Sequence, residues 1–397
     1  MTQDAVLLAG SLGLGHEMMA HSCAGLLERA GWRTRSLNCM SLLGQFGGRA
    51  GERMFGKLVT IPGLYDGLHF AHFRTGSRLA ELTDRAVTGR LAPSLRADLQ
   101  RNPADLVLSV FATGASAAAK LKAEAPARRT VVLCTDVSVH RLWVSEGTDL
   151  FLVTSPAAAA SVRRYLPRAT VSIVPPPVRD AFYAAPAQDE ARARLGVPLT
   201  DLCVLLIDSG WGFGPLVESV SMLADAGIQV LAVAGRHRAV ERQLRELART
   251  NPRVTPFGFT DRVPELMAAA DVVIALPGAT TCSEARVVGR RLLLLDVMPG
   301  HGRDNLQHEL EQGAAQVCRP TPAGVTASAL AMLADVPRPV PAPRQQRWEP
   351  AYVAALQQIG LDLRVPGPRP VPAGFSGLSH GRSEPVPVPP LPATRGS

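Results

Sequence analysis

Short apolar runs recur along the chain, separated by stretches whose apolar residues fall at helical spacing. In the first half the runs are Val6–Leu8, Thr34–Leu37, Leu106–Val110, Thr130–Cys134, Leu150–Val153 and Val171–Ile173. Helices are predicted from about His16 to Ala30, over a long stretch ending near Gln100, and near Ala115–Lys122. A second series begins at Cys203–Ile207 and continues through Val230–Ala234, Val254–Pro256, Val272–Leu276, Leu292–Leu295 and Ala315–Cys318. Strands separated by helices of this length imply parallel, doubly wound sheets, one in each half.

The run VPPPVRDAF, Val174 to Phe182, interrupts this alternation with three consecutive prolines. Proline fixes φ and cannot donate to a ladder, so the segment reads as a connection between domains. The expected organisation is a first domain over 1–177, a second over 178–345, a last amphipathic helix within 346–364 and a tail over 365–397. The tail carries nine prolines and no core-forming pattern, which predicts disorder. At 397 residues, 46% of them hydrophobic, the chain is large enough for two cores. No apolar run approaches the roughly 18 to 20 residues of a membrane span, and the N-terminus shows no signal-peptide pattern. Six scattered cysteines without a CxxC spacing read as reduced core residues of a cytoplasmic protein. The net charge of +8 is compatible with nucleic acid, an anionic membrane or phosphorylated substrates. With 5% aromatic residues and no nucleic-acid-binding motif, nucleic acid is the poorest fit.

Candidate chemistry gathers at the strand-to-helix turns. In AGSLGLGHEMMA, Ala9 to Ala20, Gly13 and Gly15 allow close approach of a ligand and His16 stands at the helix start, where it could face a reaction centre or simply cap. The third glycine of a dinucleotide fingerprint is missing. A zincin pair is excluded as well, because His16 and His21 lie about 140° apart around a helix. In TDVSVHRLW, Asp136 leaves a strand at its carboxyl end, where cleft residues and N-caps both occur, with His140 and Trp143 following. DSGWGFGPL, with Gly210 and Gly212, and AGRHRAVERQL, with Arg236, are further turns of the same kind. GFTD, with Phe259 and Thr260, and PGATTCSEA, with Glu284, complete the set.

In order and wording these motifs resemble the GT-B glycosyltransferases, most closely the family of monogalactosyldiacylglycerol synthases and processive diacylglycerol glucosyltransferases. The resemblance implies two facing Rossmann-like domains and an inverting, metal-independent transfer of a hexose from a UDP-sugar to a lipid such as diacylglycerol. It implies His16, or else Asp136, as the catalytic base. Gly13, Gly15, His140 and Trp143 would meet the acceptor. Gly210, Gly212, Arg236, Phe259, Thr260, Pro277, Gly278, Thr280, Thr281, Glu284, His301 and Asn305 would hold the donor, with Glu284 on the ribose hydroxyls. No cofactor is implied. Two departures stand out: LPGA replaces the usual KPGG, and PGHG, Pro299 to Gly302, replaces PGQE, removing side chains that touch the donor sugar. The alternatives are a non-lipid glycosyltransferase or UDP-sugar epimerase on the same fold, or a non-catalytic nucleotide-sugar- or lipid-binding protein.

Between Gln45 and Arg78 basic residues mix with Phe46, Phe55, Leu64, Tyr65, Phe70 and Phe73. This composition suits a surface lying among anionic lipids on the inner face of a membrane, and equally an ordinary helical insert. If the first reading holds, the protein binds anionic liposomes in a salt-sensitive manner, each basic residue contributing about 1 kcal/mol. Reversing Arg49, Arg53 and Lys57 to glutamate should then abolish co-sedimentation without lowering the melting temperature. Normal sedimentation of the triple variant would remove the membrane contact.

Overall fold

The computed structural model describes residues 3–10, 14–43, 78–134, 136–137, 139–208, 215–296, 301–313, 315–335 and 347–365. The basic insert up to residue 77, Gly13, Gly210, Gly212 and the tail from 366 therefore lie outside the described residues.

Two sheets of six strands each form the scaffold, and every strand pairing is parallel. The first contains β1 (Asp4–Ala9), β2 (Arg33–Asn38), β3 (Leu106–Ser109), β4 (Arg129–Leu133), β5 (Leu150–Val153) and β6 (Val171–Ile173), in the order β2-β1-β3-β4-β5-β6. The second contains β7 (Cys203–Ile207), β8 (Gln229–Val233), β9 (Val254–Phe257), β10 (Val272–Ala275), β11 (Arg291–Leu295) and β12 (Ala315–Cys318), in the order β12-β11-β10-β7-β8-β9. The strands match the apolar runs to within a residue or two. Pro256, without an N–H, is accommodated because β9 is an edge strand.

The pleat explains the continuous apolar runs. Ala5, Leu7 and Ala9 of β1 enter one cluster, while Val6 and Leu8 enter another on the opposite face. A strand buried on both faces has no polar side to display. The cluster holding Leu7 also contains Val178, Phe182, Leu205, Val273, Trp348 and Tyr352, so one apolar core runs from the first sheet through the connection into the second.

The helix Glu349–Gln357 packs onto this connection. The Trp348 indole N–H donates to the Val178 carbonyl at 2.8 Å and its ring meets Tyr352 edge-on. Four charges close the seam: Arg29, from the first helix, bonds Asp180 at 3.0 Å and Glu349 at 3.2 Å, while Arg347 bonds the same two carboxylates. All six cysteines are free and buried, and burial pushes the thiols of Cys23 and Cys39 up to about 12. They are core residues, as their apolar surroundings suggested.

Two arginines are buried in the second lobe. Arg192 donates to the Ala269 carbonyl and pairs with Asp271 at 2.9 Å; the pair is only 3% and 1% exposed. Arg290 donates to the carbonyls of Met267 and Ala268. Both guanidiniums thus satisfy the last carbonyls of the helix Val263–Ala269, at the negative end of its dipole. Asp271 also accepts from the Cys203 amide at 2.9 Å, locking the start of β7. Removing one partner of a buried pair strands the other charge, so Asp271→Ala should destabilise the protein by about 3–5 kcal/mol, read as the urea midpoint. A loss below about 1 kcal/mol would show that water reaches Arg192.

Candidate active site

In a parallel doubly wound sheet, ligands lie beyond the carboxyl ends of the strands where the strand order reverses. In the first sheet that point falls between β1 and β3, and in the second between β7 and β10. The chain places Gly10, His16 and Val110–Phe111 at the first, Asp208 and Leu276–Gly278 at the second.

His16 is half-buried near the start of the helix Leu14–Arg29. Its Nδ1 lies 2.8 Å from the Val110 carbonyl, and its ring meets Phe111 edge-on at 5.3 Å. A carbonyl only accepts, so Nδ1 carries the proton and the neutral ring's lone pair is on Nε2. Gly15 faces the other lobe: a Cβ on it would come 3.0 Å from the Thr280 hydroxyl.

Asp136 follows β4. Its Oδ2 accepts the Trp143 indole N–H at 2.9 Å and lies 3.8 Å from His140 Nε2. Trp143, 2% exposed, belongs to the core behind β4 and β5 and touches the site through this bond and through its ring, 6.2 Å from that of His140. The next amide, Val137 N–H, donates across the lobes to the Asn305 side-chain oxygen at 3.3 Å.

The second lobe contributes the helix Ala279–Val288, entered through Pro277 and Gly278. Gly278 makes no side-chain cap, no acid occupies the first turn, and open space surrounds the point where a Gly278 Cβ would stand. Among the described residues the helix therefore presents N–H groups without a capping side chain, and its positive end, at the carboxyl edge of the sheet, with half-buried Thr280 and Thr281 beside them. Glu284, 4% exposed, lies further along it. Burial pushes its carboxyl up to about 7 against the opposing pull of Arg179, whose Nε and Nη2 both bond Oε1, at 3.0 and 2.8 Å. Arg179 comes from the connection and rests over the Phe182 ring.

At the rim, the Arg236 guanidinium covers the ring of Phe259, which is 54% exposed, and lies 3.8 Å from Glu17 of the first lobe. The Thr260 hydroxyl is used locally, accepting from the Arg262 amide. His301 opens the helix His301–Glu311. Three approaches join candidates of the two lobes, Gly15 to Thr280, Glu17 to Arg236 and Val137 to Asn305, while Trp143 lies in the core and the Thr260 hydroxyl serves its own turn. Three contributors escaped sequence reasoning: Arg179, Glu17 and Val137. Only Arg179 left a trace, as a lone cation directly after the proline run.

The architecture is that of a GT-B protein. Residues 215–318 match the glycosyltransferase family 28 C-terminal domain, and residues 70–178 match the monogalactosyldiacylglycerol (MGDG) synthase family, so the likeness read from the motifs is met in both halves. The processive diacylglycerol beta-glucosyltransferase of Bacillus pumilus is 26% identical over 192 residues, 47% of this chain and 50% of that protein. A probable chloroplastic monogalactosyldiacylglycerol synthase of Glycine max is 25% identical over 262 residues, 62% of this chain and 49% of that protein. The chain spans about half the length of these curated relatives. Among solved structures, Acinetobacter baumannii MurG superposes with a TM-score of 0.55 at 15% identity, covering 90% of this chain and 100% of that one. An S. aureus MnaA–UDP co-structure gives 0.58 at 12%, covering 93% and 99%. At such identities the likeness is one of fold.

A carboxyl raised on folding binds its proton more tightly in the native state, so its contribution to stability is largest below the unfolded value of 4.5 and is lost as pH rises towards 7. Glu284→Gln carries no such titration. Relative to the wild type, this variant should therefore be more stable at pH 7.5 than at pH 5, measured by urea denaturation at both. An equal difference at the two pH values would mean that Glu284 is solvated.

Proposed function

We propose that the protein transfers a hexose from a UDP-sugar to a hydroxyl of a lipid acceptor such as diacylglycerol, with inversion and without a metal ion. The observation that carries this reading is the pairing, on one helix, of an open, uncapped N-terminus with a buried carboxylate, facing His16 across the cleft. The N-terminal amides and helix dipole stabilise a diphosphate, including the charge that grows on it as the glycosidic bond breaks. Ionised Glu284 offers acceptors to two adjacent ribose hydroxyls. Phe259 provides an exposed ring at the outer end of the same lobe.

His16, its proton fixed on Nδ1, receives the acceptor's hydroxyl proton on Nε2 as the oxygen attacks the anomeric carbon from the face opposite the departing UDP. Asp136, held by the Trp143 indole, orients the loop beside it. The lobes approach each other where Gly15 meets Thr280, and their closure on the bound donor would exclude water and limit its hydrolysis. Support for a lipid acceptor comes from the named activities of the relatives and from the basic, aromatic composition of 45–78. The protein would work on the cytoplasmic face of an anionic membrane.

Glu284→Ala is expected to weaken UDP binding by about 1.5–3 kcal/mol in calorimetry, the scale of a charge-assisted hydrogen bond. His16→Ala is expected to lower turnover roughly 100-fold or more with UDP affinity intact. Chelation by EDTA should leave turnover unchanged. A wild type that binds UDP yet transfers no sugar to diacylglycerol, glucosyl- or galactosyl-donors alike, would make this a binding protein.

A further inference from the structure

The approaches between the lobes fall beside the two candidate bases. Gly15 and Glu17, which face Thr280 and Arg236 of the second lobe, stand on either side of His16. Val137, which meets Asn305, directly follows Asp136. The backbone bearing each candidate base is thus held from across the cleft through a neighbouring residue. Of these approaches, the one between Glu17 and Arg236 joins opposite charges.

Glu17 lies in the first turn of the helix Leu14–Arg29, where the helix dipole favours a carboxylate. Opposite it, Arg236 follows Gly235, whose φ of +55° turns the chain after β8 in a conformation that side chains disfavour. The Arg236 guanidinium is held on its far side by the Phe259 ring, 5.0 Å away, and its Nη2 stands 3.8 Å from Glu17 Oε2. At that distance the charges attract without a direct hydrogen bond; a further approach of about 1 Å would bring them to the 2.7–2.9 Å of a charge-assisted one. With the side chains 56% and 31% exposed, the pair contributes little to stability. Its leverage is on orientation. The imidazole of His16 is tied to the Val110 carbonyl through Nδ1, so the direction of Nε2 follows the position of the helix's first turn over the end of β3.

We propose that Glu17 is a positioning residue: drawn towards Arg236 of the second lobe, it sets the turn that carries His16 against the donor side. The effect on chemistry rests on the glycosyl-transfer reading with His16 as base. The attraction between the lobes does not.

The test is turnover at saturating substrates for Glu, Gln and Lys at position 17, each in the wild-type and the Arg236→Gln background, with UDP affinity followed in parallel. Glu17 and Arg236 both reach solvent, so these variants leave the core packed. Glu17→Gln is expected to lower kcat about two- to fivefold, the scale of an exposed ion pair, with UDP affinity unchanged. Glu17→Lys should lower it further by repulsion. With Arg236→Gln present, the three residues at 17 should no longer differ by more than about twofold. Raising the ionic strength from about 0.01 M to 1 M, where the screening length falls from about 30 to 3 Å, should erase the difference between wild type and Glu17→Gln. Equal losses in both backgrounds, or a fall in UDP affinity that matches the fall in kcat, would overturn the proposal. A second measurement needs no turnover: energy transfer between dyes on Ala97→Cys and Gln243→Cys, exposed sites on the two lobes, the native cysteines being buried. Glu17→Lys should shift it towards longer separations, and should not do so beside Arg236→Gln; the absence of that shift would likewise overturn the proposal. A wild type that transfers no sugar would strike the functional reading instead, and the dye separation would still decide whether Glu17 and Arg236 draw the lobes together.

Discussion

Parallel pairing is the constraint on which the rest depends. When all strands of a sheet run one way, every carboxyl end opens on the same edge and each return path must cross a face, here mostly as a helix and between β4 and β5 as the segment holding the short 3-10 turn Arg141–Trp143. Both faces of the inner strands are then covered, which is why strands such as β5 (LFLV), β7 (CVLLI) and β10 (VVIA) are apolar throughout, while the edge strand β2 (RTRSLN) is mostly polar. Reversal of strand order leaves one crevice per sheet, at β1/β3 and at β7/β10. His16 and Gly278 occupy those crevices through topology alone. The single apolar core through Val178, Phe182 and Trp348 then ties the two sheets together.

The electrostatics of the cleft rest on contrast. The helix Val263–Ala269 has its negative end filled by two buried guanidiniums, whereas the positive end of Ala279–Val288 is left without a capping side chain or an acid. Two other helix N-termini of the lobe carry side-chain caps, where the His237 ring accepts from the Val240 amide and the Thr321 hydroxyl from the Gly324 amide. Among the described residues this uncapped terminus shares its helix with Glu284, whose carboxyl burial raises to about 7. Arg179 keeps that carboxylate from being driven higher still by burial.

The strands and the turns bearing His16, Asp136, Gly278 and Glu284 were legible in the sequence because hydrophobic period and glycine placement are local signals. The polar contacts were not. Arg179 meets Glu284 across 105 residues, Val137 meets Asn305 across 168, and Arg29 meets Glu349 across 320. No periodicity encodes which distant side chains will be neighbours; the fold must exist first. Trp143 shows the complementary case, since the resemblance places it at the acceptor whereas its side chain is buried in the core, its indole serving Asp136. Short helices such as Asp180–Tyr183 also went unread, being too brief to establish a repeat.

The contact of Gly15 with Thr280 makes residue size at one position a spacer between the lobes. A methyl group at 15 would press on the Thr280 hydroxyl at 3.0 Å, and anything larger would wedge the two halves apart by its own width. The close approach of the lobes at this point is thus permitted by a missing side chain, and successive enlargement at residue 15 would test how much separation the two halves tolerate there.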